Sequence, residues 1–550
     1  MPSVSAHVAH TLARHLHHVF GVMGNGNAHF LDVLHRETDL PFTAMRHESG
    51  GVVAADAHYR ASGRLAAATA TYGAGFTNTL TALAESAQAR IPLLLVVGDE
   101  PTSGPRPWGV DQVALASAVG VRTYTVGDRD ATATVLIALE HALTYRVPVV
   151  LAIPYDVVTR EAGPLTDAGT VTLPAPLAPR GPASEAALDR IADALASAER
   201  PFLLAGRGAW LAHAGDALGR LAEATGAVTA STALGRGIFP DARYDLGVTG
   251  GFGAEGAMRL VREADVAVVF GAGLNQFTMR FGELFAPDTA VFQIDVTATA
   301  THAQVGGFVR GDAAIAAEAL VERLRARGAS ASGWRERIDI APLRAQDPGD
   351  GIAPDGRLDP RSAAARLAEL LPEDRVVVSD GGHFLGWSNM YWPVASPDRV
   401  MMIGTAYQSI GLGFPSVAGA IAARPESTVV LTTGDGGGLM AIADLESAVR
   451  SARGHGIAVV WNDAAYGAEV NLYGLKGLAR EPMLIPEVDF AAVARGFGAE
   501  GVVVREVADL DAVAGWTARD PEDRPFLLLD LRISGDVIAP YQREIIKVNS

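Results

Sequence analysis

The chain has 550 residues, 49% hydrophobic and 19% charged, enough for three to four cored domains at roughly 150 residues each. Its net charge of −17 argues against the basic face of a nucleic-acid binder, and a bound polyanion would need help from metal or backbone N–H groups. The lack of cysteine excludes disulfide scaffolds, thiolate zinc sites and thiol catalysis, and lysine only at Lys476 and Lys547 leaves little room for Schiff-base chemistry.

The first segment, MPSVSAHVAHTLARHLHHVFGV, lacks the continuous apolar stretch of a secretory signal, and no apolar run reaches the ~18 residues of a membrane span. A cytoplasmic protein with no membrane or nucleic-acid partner is expected. His7, His10, His15, His17 and His18 crowd this first helical stretch with the spacing of a solvated face.

Short, β-branched apolar runs bounded by turn residues then alternate with Ala-rich helical stretches. RIPLLLVVGD and VPVVLAIP stand in the first third, RPFLLAGRG, ADVAVVFGAG and AVFQIDV in the middle, and DRVVVSDGG, STVVLTTGDGG and GIAVVWND in the last. Such runs suit strands buried on both faces of a parallel sheet, and helical patterns such as Glu185–Ser197 complete βαβ units. The predicted class is α/β, with three doubly wound parallel-sheet domains. Segments 161–185 and 328–360, rich in Pro and Gly and lacking either period, read as linkers, the second with room for a short helix. They divide the chain into 1–160, 186–327 and 361–550.

Two acids stand at the ends of neighbouring strand-like runs in the last third. Asp435 lies within Gly434-Asp435-Gly436-Gly437-Gly438, and Asp463 follows one strand–helix–strand unit later. Open α/β sheets bind ligands beyond the carboxyl ends of their strands. Glycines such as Gly436 and Gly437 let backbone approach a phosphate closely, and the following helix offers its N-terminus. A carboxylate beside a phosphate repels it unless a divalent cation lies between, and Mg²⁺ favours one or two carboxylates with phosphate oxygens and water. The spacing points to two acids holding a metal that holds a diphosphate.

From Asp435 to Tyr466 the chain resembles the motif of the thiamin-diphosphate enzymes, the family of acetohydroxyacid synthases, pyruvate decarboxylases and benzaldehyde lyase. The resemblance implies thiamin diphosphate with Mg²⁺ held by Asp435, Asp463 and the main-chain carbonyl of Ala465. Asn462-Asp463 replaces the family's more usual Asn-Asn and keeps an oxygen ligand. AMRHESGGVVAADAHYRASG (44–63) resembles the segment whose glutamate hydrogen-bonds N1′ of the cofactor's aminopyrimidine, which implies that activating role for Glu48. The stretch after it, TYGAGFTNTL, resembles the family's Gly-Pro-Gly-x-Thr-Asn segment at Gly73, Gly75, Thr77 and Asn78. SDGGHFLGWSNMYW (379–392) resembles the phosphate-contacting loop, at Gly382, His383 and Phe384. GTAYQSIGLGFPSVAGAIAA, opening at Gly404, places Ile410 on the bulky apolar residue that wedges the cofactor into a bent shape. The likeness implies a pyrimidine-binding first domain, a central domain and a diphosphate-binding last domain. In some members the central domain holds FAD; GAGLNQ here is too short to be an FAD signature. Because the family places its glutamate and its metal site on different subunits, a homodimer or homotetramer is implied.

GVMGNGNAHFLDVL (21–34) resembles the loop facing the thiazolium, where His29 coincides with the active-site histidine of benzaldehyde lyase-like members. PRPWGVDQVALAS has no Gln at Pro107, Trp108 or Gly109, a departure from the acetohydroxyacid synthase Phe-Gln-Glu pattern, while Asp111-Gln112 keeps a benzaldehyde lyase-like ending. Tyr466 and Glu469 fall where family substrate-pocket residues begin. The expected activity is acetolactate synthase-like carboligation of 2-oxo acids. The alternatives are a lyase, acting as a 2-oxo acid decarboxylase or on a 2-hydroxyketone or an acyl thioester, and, in another class, a binder of the cofactor without catalysis.

Overall fold

The computed structural model describes residues 1–104, 109–165, 173 and 180–549. Within them lie three six-stranded sheets, every pairing parallel. The first holds β1 (Val19–Gly21), β2 (Phe42–Ala44), β3 (Ala67–Ala70), β4 (Leu93–Asp99), β5 (Arg122–Thr125) and β6 (Pro148–Pro154), ordered β2-β1-β3-β4-β6-β5. The middle sheet holds β7 (Pro201–Ala205), β8 (Val228–Ser231), β9 (Asp245–Val248), β10 (Val266–Phe270), β11 (Ala290–Asp295) and β12 (Val305–Arg310), ordered β12-β11-β10-β7-β8-β9. The third holds β13 (Arg375–Ser379), β14 (Val400–Met402), β15 (Thr428–Gly434), β16 (Gly456–Asn462), β17 (Glu500–Val504) and β18 (Leu527–Arg532), ordered β14-β13-β15-β16-β18-β17.

The eight apolar runs read from sequence form β4, β6, β7, β10, β11, β13, β15 and β16. In most of them every residue is buried, as helices on both faces of a parallel sheet require. The helix Glu185–Ser197 forms over the expected residues, capped by the Ser184 side chain. Between the middle and third sheets, 328–360 contains the short helix Ile340–Leu343; most of 166–179 lies outside the described residues.

Two of the five N-terminal histidines depart from a solvated face, while His17 is exposed and His10 and His15 are partly so. The first helix is Val4–Ala13, and His7 on it is buried, bonded to Thr132 Oγ1 and Gly163 O, each at 3.1 Å. His18 lies past the helix end and stacks on Phe20 at 4.3 Å. The helical period was read too far: the helix stops at Ala13, and the residues after it turn into β1 and the core.

The first and third sheets share one strand order. If each is numbered from its own first strand, both read 2-1-3-4-6-5. The helix after the second strand of each, Glu48–Ser62 and Gly413–Ala423, is therefore the same element of the shared plan, and these two helices pack on one another. Their approach is close enough that a Cβ at Gly419 would overlap the Ala54 carbonyl oxygen, and one at Gly50 would overlap the Asp444 carboxylate. Asp444 in turn accepts the Arg46 N–H at 2.8 Å, fixing the turn that enters the first helix. Deeper in the junction Arg60 bonds Asp56 at 2.5 Å, Glu85 at 3.3 Å and the Met402 carbonyl at 3.1 Å, so its buried charge is fully paired.

Gly419→Ala should lower the thermal unfolding midpoint sharply, since the obstacle is backbone and cannot swing away; overpacking of this kind costs about 3 kcal/mol. An unchanged midpoint would show the two helices to be farther apart. Acid should also destabilise the first domain. Burial holds His58 at about 4 and His18 at about 3, against an ordinary value of 6.5. The unfolded chain therefore takes up protons that the fold refuses. The stability is fully present above pH 6.5 and is lost as pH falls from there toward 4, by roughly 2 kcal/mol per histidine at pH 5. Chemical unfolding at pH 8 and pH 5 should show a smaller loss in His58→Gln than in the parent; an equal loss would remove His58 as a source.

Candidate active site

At the carboxyl end of the third sheet, Gly434 of β15 lies in register with Trp461 of β16, so the residues that follow each strand are neighbours. Asp435 opens the helix Asp435–Met440. Asp463 follows Asn462, and the chain then turns through Ala464, held in the left-handed region at φ 59°. Asp435 is 3% exposed and the Asp463 side chain 2%. One oxygen of each is engaged: Gly436 N–H donates to Asp435 Oδ1 at 2.9 Å, and His383 Nε2 meets Asp463 Oδ2 at 2.9 Å. The other two, Asp435 Oδ2 and Asp463 Oδ1, are buried with no hydrogen-bond partner among the described residues.

Buried carboxylate oxygens without partners are costly. Burial and then the nearby Asp463 charge push the Asp435 carboxyl up to about 7. Burial opposes charge on His383 as well, but Asp463 overrides it and holds the imidazole above its ordinary value. The neighbouring Asn462 points elsewhere: its Nδ2 donates to Asp530 Oδ1 at 2.9 Å and Val488 O at 3.1 Å, tying the strand end to β18. Two unpaired acid oxygens at one strand edge, beside the Ala465 main chain, are a donor set that a hard divalent cation fits.

Glycines shape the space beside this pair. Gly381, Gly382, Gly404, Gly434, Gly436 and Gly437 border one cavity of about 1070 Å³, together with His383, Phe384, Ile410, Ala465, Tyr466 and Glu469. A Cβ at Gly436 would strike the Tyr466 ring at 2.6 Å, so this glycine admits the tyrosine as well as a ligand. The Phe384 ring is buried against Gly382 and Gly434, which leaves the backbone of that loop to face the cavity. The Tyr541 hydroxyl donates to the His383 carbonyl and fixes the loop from the C-terminal helix Pro540–Asn549. The far wall comes from the middle domain, at Gly271, Asn275 and Phe277.

Sequence reasoning missed Asp380. It is fully buried and accepts from Gly381 N–H at 2.8 Å, Gly411 N–H at 3.2 Å, Leu412 N–H at 3.1 Å and Thr433 Oγ1 at 3.0 Å, while burial raises its carboxyl to about 6. One carboxyl group thus joins the loop after β13, the turn carrying Ile410 and the end of β15. The signal was present in SDGG, a second strand-end Asp-Gly-Gly beside the GDGG that was read as a metal site.

The remaining expected residues gather at the carboxyl end of the first sheet. Glu48 begins its helix, and Asn78 Nδ2 donates to Glu48 Oε2 at 3.0 Å. Gly75 lies beside Glu48, and the Gly73 N–H donates to Gln112 Oε1 at 3.0 Å. Gln112 is buried and donates in turn to Gly98 O at 3.0 Å, so it braces three loops. The turn before His29 rests on the same group through Gly26 N–H to Thr71 Oγ1 at 2.9 Å; His29 itself lies not on a loop but in the first turn of the helix Ala28–Glu37, where it is exposed. Pro107 and Trp108 lie outside the described residues. Glu48, His29, Gly73 and Asn78 do not line the large cavity. One chain presents two half-sites, one bearing acid oxygens and glycines and the other bearing Glu48.

Comparison with known proteins bears on both halves. The chain matches the thiamine pyrophosphate enzyme family in three blocks: its N-terminal TPP binding domain over residues 2–119, its central domain over 188–323 and its C-terminal TPP binding domain over 380–528. It is 27% identical to acetolactate synthase 1, chloroplastic, of Oryza sativa subsp. japonica, over 96% of this chain and 83% of that one. It is 26% identical to the sulfoacetaldehyde acetyltransferase of Roseovarius nubinhibens, over 98% and 93%. Among solved structures, the thiamine diphosphate-dependent 4-hydroxybenzoylformate decarboxylase of Rhodococcus jostii RHA1 superposes with a TM-score of 0.79 at 21% identity, covering 97% of this chain and 99% of that one, a likeness of fold. The three matched domains occur in the order in which the structure builds them, and the chain belongs to the thiamin-diphosphate-dependent enzymes.

Proposed function

We propose that the protein is a Mg²⁺-dependent carboligase that uses thiamin diphosphate to transfer a unit derived from a 2-oxo acid to a second small substrate. The observation that carries the metal and cofactor is the pair of buried, unpartnered oxygens, Asp435 Oδ2 and Asp463 Oδ1. These two oxygens and the Ala465 carbonyl would hold a divalent cation, which would offset the repulsion between the acids and favour a diphosphate at the glycine-lined wall. Bound there, the cofactor supplies a carbon nucleophile that also stabilises negative charge after a bond beside a carbonyl is cleaved. Asp380 holds the Ile410 turn against the cavity, where Ile410 limits the conformation of what is bound. Glu48 would hydrogen-bond a ring nitrogen of the cofactor and share a proton with it, and the Asn78 N–H orients the carboxylate for that task. Glu48 lies away from its own chain's cavity, so a working site pairs the cavity of one copy with the Glu48 half of a second, in a homodimer or a dimer of dimers.

Ligation is supported by the relatives' printed activities, acetolactate synthase and acetyltransferase, and by a cavity of about 1070 Å³, above the ~300–1,000 Å³ usual for one small ligand. A second reading, cleavage of a 2-hydroxyketone, is favoured by Gln112, which keeps the lyase-like ending and braces the Gly73 loop. The crevice between β7 and β10 opens into the same cavity at Gly271 and could take a dinucleotide such as FAD; visible absorbance of the purified protein decides this. Incubation with pyruvate alone tests the main reading. Acetolactate supports ligation, acetaldehyde identifies a decarboxylase, and no turnover of pyruvate or any other 2-oxo acid overturns it.

Asp435→Ala should weaken thiamin diphosphate binding by ~100-fold or more at fixed Mg²⁺, because the metal loses an inner ligand. Calorimetry is the measurement, and unchanged affinity removes Asp435 from the metal site. Glu48→Gln should keep the fold and the Asn78 contact, since the amide oxygen still accepts. It cannot share a proton as a carboxyl does, so hydrogen–deuterium exchange at C2 of bound cofactor should slow by ~10²–10⁴. The loss should be alike for every substrate, and parental exchange rates in this variant would sink the assignment.

A further inference from the structure

A second cavity, of about 340 Å³, lies where the three domains meet. Its wall takes Arg60 and Arg146 from the first domain, Arg207 from the middle domain and Arg424 from the third, against one carboxylate, Asp398. Four guanidinium groups around one small space are unusual in a chain with 62 acidic and 45 basic residues.

Two of the four are already engaged. Arg424 pairs with Asp398 and donates to Ala61 O at 2.8 Å. Arg60 is held by Asp56 and Glu85. Arg146 and Arg207 have no carboxylate partner among the described residues. The Arg207 side chain donates to the Ala89 carbonyl at 3.1 Å. Burial pulls it down to about 10, with the Arg60 and Arg146 charges acting in the same direction and the nearby Asp56 charge opposing them. The fold therefore holds like charges together at a cost, in a cavity of the size that small ligands fill.

We propose that this junction binds a phosphate group, free or carried by a small phosphorylated molecule, between Arg146 and Arg207. A guanidinium fork matches phosphate oxygens in pairs, and a dianion offsets two half-buried positive charges that have no ion-pair partner among the described residues. Trp210 and Tyr59 in the same wall offer flat faces to whatever carries the phosphate. The occupant joins all three domains. Because Arg207 also lines the large cavity, the occupant sits on the wall between the two spaces.

The test uses the full chain saturated with thiamin diphosphate and magnesium, titrated calorimetrically with inorganic phosphate and, separately, with AMP. One saturable site per chain is expected, weakened at least tenfold in Arg146→Gln and in Arg207→Gln and unchanged in Arg325→Gln, a control on an exposed arginine. Equal affinity for the two probes identifies free phosphate as the source, and tighter AMP binding identifies a carried phosphate. Should the variants not fold, arginine-directed labelling of the parent protein, read by mass spectrometry, replaces them: phosphate or AMP should slow modification of Arg146 and Arg207 and leave Arg325 unaffected. No saturable binding of either probe, binding indifferent to Arg146→Gln, or labelling at Arg146 and Arg207 that the probes leave unchanged would overturn the proposal.

Discussion

Two carboxylates buried at the ends of adjacent strands repel one another, and one oxygen of each, Asp435 Oδ2 and Asp463 Oδ1, has no hydrogen-bond donor among the described residues. Much of the surrounding structure follows from holding that pair in place. β15 and β16 must pair in register so that the acids meet. Asn462 must turn back into the sheet, where Asp530 takes it. Gly467 must lack a side chain because His383 and Asp463 occupy the space a Cβ would need. Asp380 shows the contrasting solution at the next strand end: the same residue type, equally buried, but satisfied by three backbone N–H groups and a hydroxyl. The contrast separates an acid that organises loops from an acid pair left with unpartnered oxygens.

The parts of the molecule legible in sequence were those with a physical signature inside one segment. Strands buried on both faces show as unbroken apolar runs, so β4, β6, β15 and β16 stood out. Ten strands did not. β3 is Ala-Ala-Thr-Ala, too small to register as a hydrophobic run, and β1, β2 and β14 are three residues each. β5 is partly exposed, Arg-Thr-Tyr-Thr, with the polar look of a loop. β18, Leu-Leu-Leu-Asp-Leu-Arg, is fully buried, but its interior aspartate and terminal arginine pair with one another and hide the run.

The site divides in the same way. Asp435 and Asp463 were legible because each ends an apolar run and has glycine nearby. Glu48 owed its reading to family likeness, since nothing about His47-Glu48 alone separates an activating acid from a helix-start residue. The roles of Asp380 and Gln112 were hidden because both act by bringing together segments far apart in sequence. That information exists only once the loops have met. His18 went wrong for the opposite reason: the helical period was extended past Ala13, where the chain had already turned inward, while His7 lies on the helix itself but faces Thr132 and Gly163 of distant segments.

The shared strand order of the first and third sheets gives every loop of one half-site a counterpart in the other. The loop between β1 and the helix of His29 answers to the loop of His383, the turn before Glu48 to the turn carrying Ile410, and the Gly73–Asn78 segment to the start of the Asp435 helix. A scaffold that exists twice is free to diverge twice. The third-sheet copy carries the buried acid pair and the glycine-lined cavity, and the first-sheet copy carries Glu48 and the strand-end segments around His29 and Gln112. Heritable change in the segments of one copy can therefore proceed while those of the other stay as they are. Such a division gives this architecture an evolvability that a single sheet, obliged to serve both tasks with the same loops, would lack.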